Sequence, residues 1–156
     1  MQLMNVAESL SQIWKIDNEG QLTSLCIELS KLIKKPAVVV LEGEVGAGKT
    51  TLVKKYFSLI SGGKDLALSP TYSLINRLGP LVHADLYRIK SENEFLHLEI
   101  PLYIDEKVEI IFIEWGRQFI AEIFDDLGVT FNYYLLKIET EKKARSFSFS
   151  SLMVGK

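Results

Sequence analysis

Several features that would define other classes of protein are scarce in this sequence of 156 residues. It contains one cysteine, Cys26, so no disulfide can form within the chain and an oxidising compartment is not required. The longest apolar runs, Ala37–Leu41 and Ile110–Ile113, are far shorter than the ~20 residues that span a bilayer. Residues 1–5 show no basic stretch leading into an apolar one. We therefore expect a cytoplasmic protein without membrane contact.

Positive charge is not in excess either, because 18 basic residues are balanced by 20 acidic ones and the net charge is −2. Proteins that hold nucleic acid through its phosphates usually carry a large positive excess. Direct binding of DNA or RNA is therefore not expected. Local basic groups in residues 31–35 and 142–145 are interpreted as solvated surface, with a binding patch as the alternative.

The apolar residues, 47% of the chain, suffice for one core, and we predict a single domain over residues 1–156. Ala37–Leu41 is a continuous apolar run rich in β-branched residues, which is typical of a parallel strand buried on both faces. Apolar residues at helical spacing precede it, from Leu22 to Ile33, and place Cys26 in the core. Towards the end of the chain, apolar and polar residues alternate as in antiparallel strands.

The order of these segments predicts an α/β fold, in which a mostly parallel central sheet is flanked by helices and ends in an antiparallel strand pair. Further strands are predicted at Ser11–Ile16, Leu66–Ser69, Leu81–Asp85 and Glu109–Glu114. Further helices are predicted at Leu52–Ile60, after the capping box of Ser91 and Glu94, and at Phe119–Phe124.

A glycine-rich segment follows the first buried strand and opens a helix. It fits the pattern G-x-x-x-x-G-K-[ST] and consists of Gly43, Glu44, Val45, Gly46, Ala47, Gly48, Lys49 and Thr50. Glycines let backbone N–H groups approach a polyphosphate, and the helix N-terminus favours anions. Lys49 supplies charge to the β- and γ-phosphates, Thr50 offers a hydroxyl to Mg²⁺, and Thr51 can reach the α-phosphate. This context predicts a P-loop NTPase fold that binds a nucleoside triphosphate with Mg²⁺; an ordinary glycine-rich turn is the alternative.

A P-loop site also needs a carboxylate at the end of a buried strand. Glu114 ends the strand Ile110–Glu114 and Asp85 ends Leu81–Asp85. The alternatives are an exposed strand-end charge for Glu114 and a helix cap or turn residue for Asp85. Thr71, in a polar loop, is a candidate to sense the γ-phosphate, although on its own an ordinary turn is the better explanation. His83 and His97 lack metal-ligand spacing, so no zinc site is expected.

With these segments in order, the chain resembles the bacterial TsaE family, P-loop ATPases of the pathway that makes threonylcarbamoyladenosine on tRNA. Four blocks carry the resemblance: Gly43–Thr51 (GEVGAGKTT), Ser69–Leu74 (SPTYSL), His83–Arg88 (HADLYR) and Ile113–Trp115 (IEW). Asn18–Thr23 is similar to the segment of that family near the adenine. The chain departs from the family at Glu44, where Asp is usual, and at Gly116, where Pro is usual.

The resemblance implies a role for each matching residue. Lys49 and Thr50 keep the roles given above, and Glu114 matches an acidic Mg²⁺ ligand. Asp85 matches an aspartate needed near the γ-phosphate, and Thr71 matches a switch-like threonine. Gly20 and Thr23 fall in the adenine segment. The resemblance further implies slow ATP hydrolysis by the isolated chain, docking on the TsaB–TsaD pair, and contact with tRNA only through that complex.

Two other activities remain open. A P-loop kinase acting on a small molecule or nucleotide is the alternative, although such kinases usually carry an arginine-rich lid and this chain has only four arginines. A GTPase switch usually needs an N-K-x-D element to select guanine, and the sequence has no Asn-Lys pair. Both alternatives share the phosphate loop with the ATPase hypothesis, so the motif by itself does not separate the three.

Overall fold

Secondary structure follows the predicted order over most of the chain. A computed structural model describes residues 12–62, 74–115, 117 and 130–152. The strands are β1 (Gln12–Ile16), β2 (Ala37–Glu42), β3 (Ile75–Leu78), β4 (Leu81–Asp85), β5 (Ile110–Glu114), β6 (Asn132–Thr140) and β7 (Arg145–Leu152). The helices are α1 (Glu19–Leu32), α2 (Lys49–Ile60) and α3 (Glu92–His97), with a 3₁₀ turn at Ile100–Tyr103. The predicted strand at Leu66–Ser69 and the predicted helix at Phe119–Phe124 lie outside the described residues.

The described strands form one mixed sheet in the order β1-β7-β6-β2-β5-β4-β3. The four inner strands β6, β2, β5 and β4 run parallel, whereas β1, β7 and β3 each pair antiparallel with a neighbour. The α/β class is confirmed, but the prediction of a mostly parallel sheet is wrong. The predicted C-terminal strand pair is present as β6 and β7.

Short connections explain why the sheet is mixed. Only Gly79 and Pro80 join β3 to β4, and four residues join β6 to β7. Connections this short can only reverse the chain, because a parallel neighbour needs a crossover of a dozen or more residues. The pairing of β1 with β7 then adds a third antiparallel strand pair.

Side chains alternate between the two faces of β2 and so supply two cores. Val39 and Leu41 belong to the cluster under α1 and α2, which includes Cys26 with no exposed surface. Val38 and Val40 belong to the cluster under α3 and the 3₁₀ turn. Burial on both faces matches the continuous apolar run from which β2 was predicted. Among the described residues, no helix is long and apolar enough to cross a membrane.

Candidate phosphate-binding site

The glycine-rich loop, residues 43–48, connects the carboxyl end of β2 to the first residue of α2, as predicted. Gly48 occupies the N-cap position of α2 with φ of 108°, a left-handed conformation that disfavours any residue with a Cβ. A Cβ at Gly43 would lie 2.8 Å from the carbonyl oxygen of Ile138 in β6. The loop therefore needs glycine for its conformation at one end and for its closeness to β6 at the other.

Lys49, the first residue of α2, points back into this loop and is 5% exposed. Its Nζ donates to the carbonyl oxygens of Gly43, at 2.5 Å, and Glu44, at 3.0 Å. The same Nζ lies 4.1 Å from the centroid of the Trp115 ring, a cation–π contact. Burial lowers the pKa of Lys49, while the charges of Glu114 and Asp85 act in the opposite direction. The ammonium group is thus held inside the loop by two uncharged carbonyl acceptors.

Glu114, at the end of β5, is 2% exposed, and its carboxylate has hydrogen-bond partners on two sides. The hydroxyl of Thr50 donates to the carboxylate and lies 3.1 Å from each of its oxygens. Nε2 of His83, in β4, lies 2.5 Å from Oε2. A buried carboxylate is costly without such partners. The alternative of an exposed strand-end charge is therefore not what the structure shows, and Glu114 lies beside the hydroxyl to which the motif analysis assigned Mg²⁺.

The oxygen atoms of Thr50 and Glu114 are hard ligands of the kind that Mg²⁺ takes in proteins. Mg²⁺ usually binds through one or two carboxylates together with phosphate oxygens and water. In the described part of the chain no group of three or more His, Cys, Asp or Glu side chains could hold a metal by itself. The donor set therefore fits Mg²⁺ shared with a phosphate ligand and does not suit a dedicated protein-only metal site.

Asp85 ends β4 directly beside Glu114 in the parallel register. Its Oδ1 accepts a hydrogen bond from the N–H of Tyr87 at 3.1 Å, the turn role named as the alternative. The side chain is half-buried, and its charge acts on Lys49. The structure thus brings Asp85 to the same sheet edge as Glu114.

The residues predicted to lie near the adenine are placed at the start of α1. Asn18 caps this helix by accepting from the N–H of Gln21 at 2.9 Å. Gly20 is exposed in the first turn, and the Thr23 hydroxyl donates to the carbonyl of Glu19. Thr51 is exposed on α2, one residue beyond Thr50. Thr71 and Gly116 lie outside the described residues.

Two contacts of the site were not foreseen. His83 was considered only as a metal ligand, whereas the structure uses it to hold Glu114. Trp115 adopts a left-handed backbone conformation, with φ of 62°, and packs its ring between Lys49 and Tyr87. The spacing of His83 and Asp85 could have indicated that His83 lies near the strand-end carboxylates, because residues i and i+2 of a strand point to the same face.

A cavity of about 780 Å³ opens at the carboxyl ends of the parallel strands, beside the loop. Open α/β sheets bind their ligands at this edge. Its lining includes Glu42, Gly43, Glu44, Tyr87, Trp115 and Arg117. Arg117 is held there by an ion pair with Glu42 at 2.9 Å. The site is therefore a glycine-rich loop at the mouth of an open cleft.

The fold and the site together define an α/β protein in which a glycine-rich loop joins a buried strand to the N-terminus of a helix. The family model described as "Threonylcarbamoyl adenosine biosynthesis protein TsaE" matches residues 16–147. The chain therefore belongs to the TsaE family of tRNA threonylcarbamoyladenosine biosynthesis proteins, and the resemblance found in the sequence is confirmed.

Curated relatives carry the name tRNA threonylcarbamoyladenosine biosynthesis protein TsaE. The protein from Nostoc sp. is 37% identical over 71% of this chain and 71% of its own length. The Streptomyces coelicolor protein is 36% identical over 63% of this chain and 69% of its own length. The Bacillus subtilis protein is 35% identical over 55% of this chain and 56% of its own length.

The fold also has a counterpart among solved structures. The crystal structure of YdiB from Bacillus subtilis superposes with a TM-score of 0.55, covering 92% of this chain and 87% of that one. Its sequence identity is 21%, so this likeness supports the fold alone.

Proposed function

We propose that the chain binds ATP with Mg²⁺ at the glycine-rich loop and hydrolyses it slowly, as an accessory subunit in threonylcarbamoyladenosine biosynthesis on tRNA. In this proposal the domain has the P-loop NTPase fold, and residues 43–51 bind the phosphates. The observation that carries the proposal is the convergence of Lys49, Thr50 and Glu114 at one loop. Three side chains from α2 and β5 meet there with the charges and donors that a Mg²⁺–polyphosphate complex requires.

Each residue has a distinct task in the proposed site. The loop N–H groups bind phosphate oxygens, and Lys49 exchanges its carbonyl acceptors for phosphate oxygens. Thr50 and Glu114 hold Mg²⁺, which when bound neutralises phosphate charge. His83 keeps the Glu114 carboxylate oriented, as outer partners of metal ligands commonly do. Asp85 and Thr71 are proposed to act near the γ-phosphate, and Gly20 and Thr23 near the adenine.

The partners proposed for this activity are TsaB and TsaD. The chain is proposed to contact tRNA only through their complex, in the cytoplasm. The net charge of −2 supports indirect contact, because a protein that grips tRNA by itself needs a positive surface. We expect turnover by the isolated chain to be low and to rise when both partners are added. A rise of less than about twofold, with normal nucleotide affinity, contradicts the assignment of these partners.

The test is a binding titration of ATP, with and without Mg²⁺, by calorimetry. Lys49→Ala should weaken ATP binding by at least about 10-fold, since it removes a charged hydrogen-bond donor. Lys54→Ala is the matched control, because Lys54 is an exposed lysine of the same helix. No saturable uptake of ATP by the wild-type chain, or equal affinities of Lys49→Ala and wild type, refutes the proposal.

The same titration with GTP, and an assay for ATP-dependent phosphorylation of nucleosides, separate the alternatives. Of the arginines in the described residues, Arg77 is paired with Asp105 and Arg117 with Glu42. A kinase lid of clustered arginines is not visible in that part of the chain. Phosphorylation of a nucleoside acceptor would replace the ATPase proposal by the kinase alternative.

A further inference from the structure

Arg145 begins β7 and is fixed in place by two neighbouring strands. It lies opposite Ile16 of β1 and Thr140 of β6 in the antiparallel registers. The turn before it is closed by a hydrogen bond from the N–H of Glu141 to the carbonyl of Ala144, at 2.8 Å. The backbone from which this side chain projects is therefore set by the sheet rather than by a free loop end.

The Arg145 guanidinium lies directly against the glycine-rich loop. A Cβ at Gly48 would lie 2.6 Å from Nη1 and 3.5 Å from Cζ of Arg145. Gly48 is also the N-cap of α2, where backbone N–H groups lack helical partners. The absence of a side chain at Gly48 thus lets a cation from β7 rest against the end of the helix that favours anions.

This cation has no anionic partner in residues 12–62, 74–115, 117 and 130–152. Neighbouring charges are paired, since Lys15 lies 4.0 Å from Glu141 and Lys137 lies 3.5 Å from Glu139. The first turn of α2 contains no acidic residue. Arg145, Lys49 and the α2 N-terminus therefore bring three positive contributions to one loop.

We propose that Arg145 binds the phosphate chain of the nucleotide, reaching it from the β6–β7 side of the loop. This inference rests on the proposed nucleotide site and adds to it a residue outside the G-x-x-x-x-G-K-[ST] motif. Like charges placed together repel, and a polyphosphate between them removes that repulsion. The side chain is exposed, so a ligand can reach it. Arg145 is thus assigned as a phosphate ligand supplied by the chain itself.

The experiment compares Arg145→Gln, Arg145→Lys and the control Lys143→Gln, which makes the same charge change two residues earlier. Dissociation constants for MgATP are measured by calorimetry, and the folded state of each variant is checked by thermal melting. Arg145→Gln should weaken MgATP binding by about 10-fold or more, as expected for a charged hydrogen bond. Arg145→Lys keeps the charge. On a logarithmic scale it should therefore weaken MgATP binding by less than about half as much as Arg145→Gln does. Lys143→Gln should stay within about twofold.

A second measurement separates the phosphates from the base. Tripolyphosphate, which has no base, should displace a fluorescent ATP analogue less effectively from Arg145→Gln than from the wild type, again by about 10-fold. Equal displacement, unchanged MgATP affinity of Arg145→Gln, or equal losses in the Lys and Gln variants overturns the role of Arg145. Those outcomes leave the proposed function intact if the wild type binds MgATP. Failure of the wild type to bind either ligand overturns both proposals.

Discussion

Tyr56 offers a direct test of how α2 is fixed to the sheet. Its ring packs edge-on against Phe112 of β5, with centroids 5.1 Å apart, and so joins the helix that carries Lys49 to the strand that carries Glu114. The side chain has no exposed surface, and its hydroxyl finds no hydrogen-bond partner among the described residues. Burial raises the pKa of Tyr56 to about 12, so the hydroxyl stays protonated at neutral pH. We predict that Tyr56→Phe stabilises the fold.

Two opposing effects set the magnitude of this change. A buried polar group without a partner costs about 1–3 kcal/mol, which the substitution recovers. The void left by one oxygen atom costs a few tenths of a kcal/mol, at ~24 cal/mol per Å³. The first effect is larger, so the free energy of unfolding should rise by about 1 kcal/mol. In a chain of this size that corresponds to a rise in Tm of roughly 2–4 °C.

Tyr134→Phe is the matched control with the opposite sign. The Tyr134 hydroxyl accepts a hydrogen bond from the backbone N–H of Lys34 at 3.0 Å, and its ring stacks on Phe149. Removing that oxygen leaves a backbone donor unpaired, which should lower the stability by about 1 kcal/mol. Urea unfolding followed by circular dichroism measures both variants. Shifts of the same sign, or a loss of more than about 1 kcal/mol in Tyr56→Phe, refute the reasoning.

Three further predictions concern the site and the core. His83→Ala should lower the Mg²⁺ affinity of the nucleotide complex by about 10- to 100-fold while ATP binding without Mg²⁺ stays within about threefold; unchanged Mg²⁺ affinity contradicts an orienting role. Because burial lowers the pKa of Lys49, its ammonium group loses its proton at a lower pH than that of an ordinary lysine. ATP affinity should therefore fall as the pH is raised into the alkaline range, and Lys49→Arg should remove that fall. Burial raises the pKa of the Cys26 thiol to about 12, so a disulfide reagent should modify it only after unfolding; rapid reaction of the native protein contradicts this.

Local rules explain what could be predicted before the fold was known. The glycine-rich motif consists of glycines, a lysine and a hydroxyl within eight residues, between a buried strand and a helix, and residues 37–60 contain all of these features. The cap at Ser91 depends on a neighbour three residues away, Glu94, and the structure contains it. Strand-end positions were enough to nominate Glu114 and Asp85. They were not enough to decide between an exposed charge and a satisfied one.

The sequence by itself determined the α/β class, the glycine-rich loop and the buried strands around it, because each depends on residues close together in the chain. The tertiary structure decided which distant side chains meet. His83 reaches Glu114 across 31 positions and Thr50 reaches it across 64, and Arg145 reaches Gly48 only because β7 folds back beside β6. These contacts follow from the order and direction of the strands. The short β6–β7 connection sets the direction of that pair, but the place of the pair beside β2 depends on how the whole sheet buries its two cores.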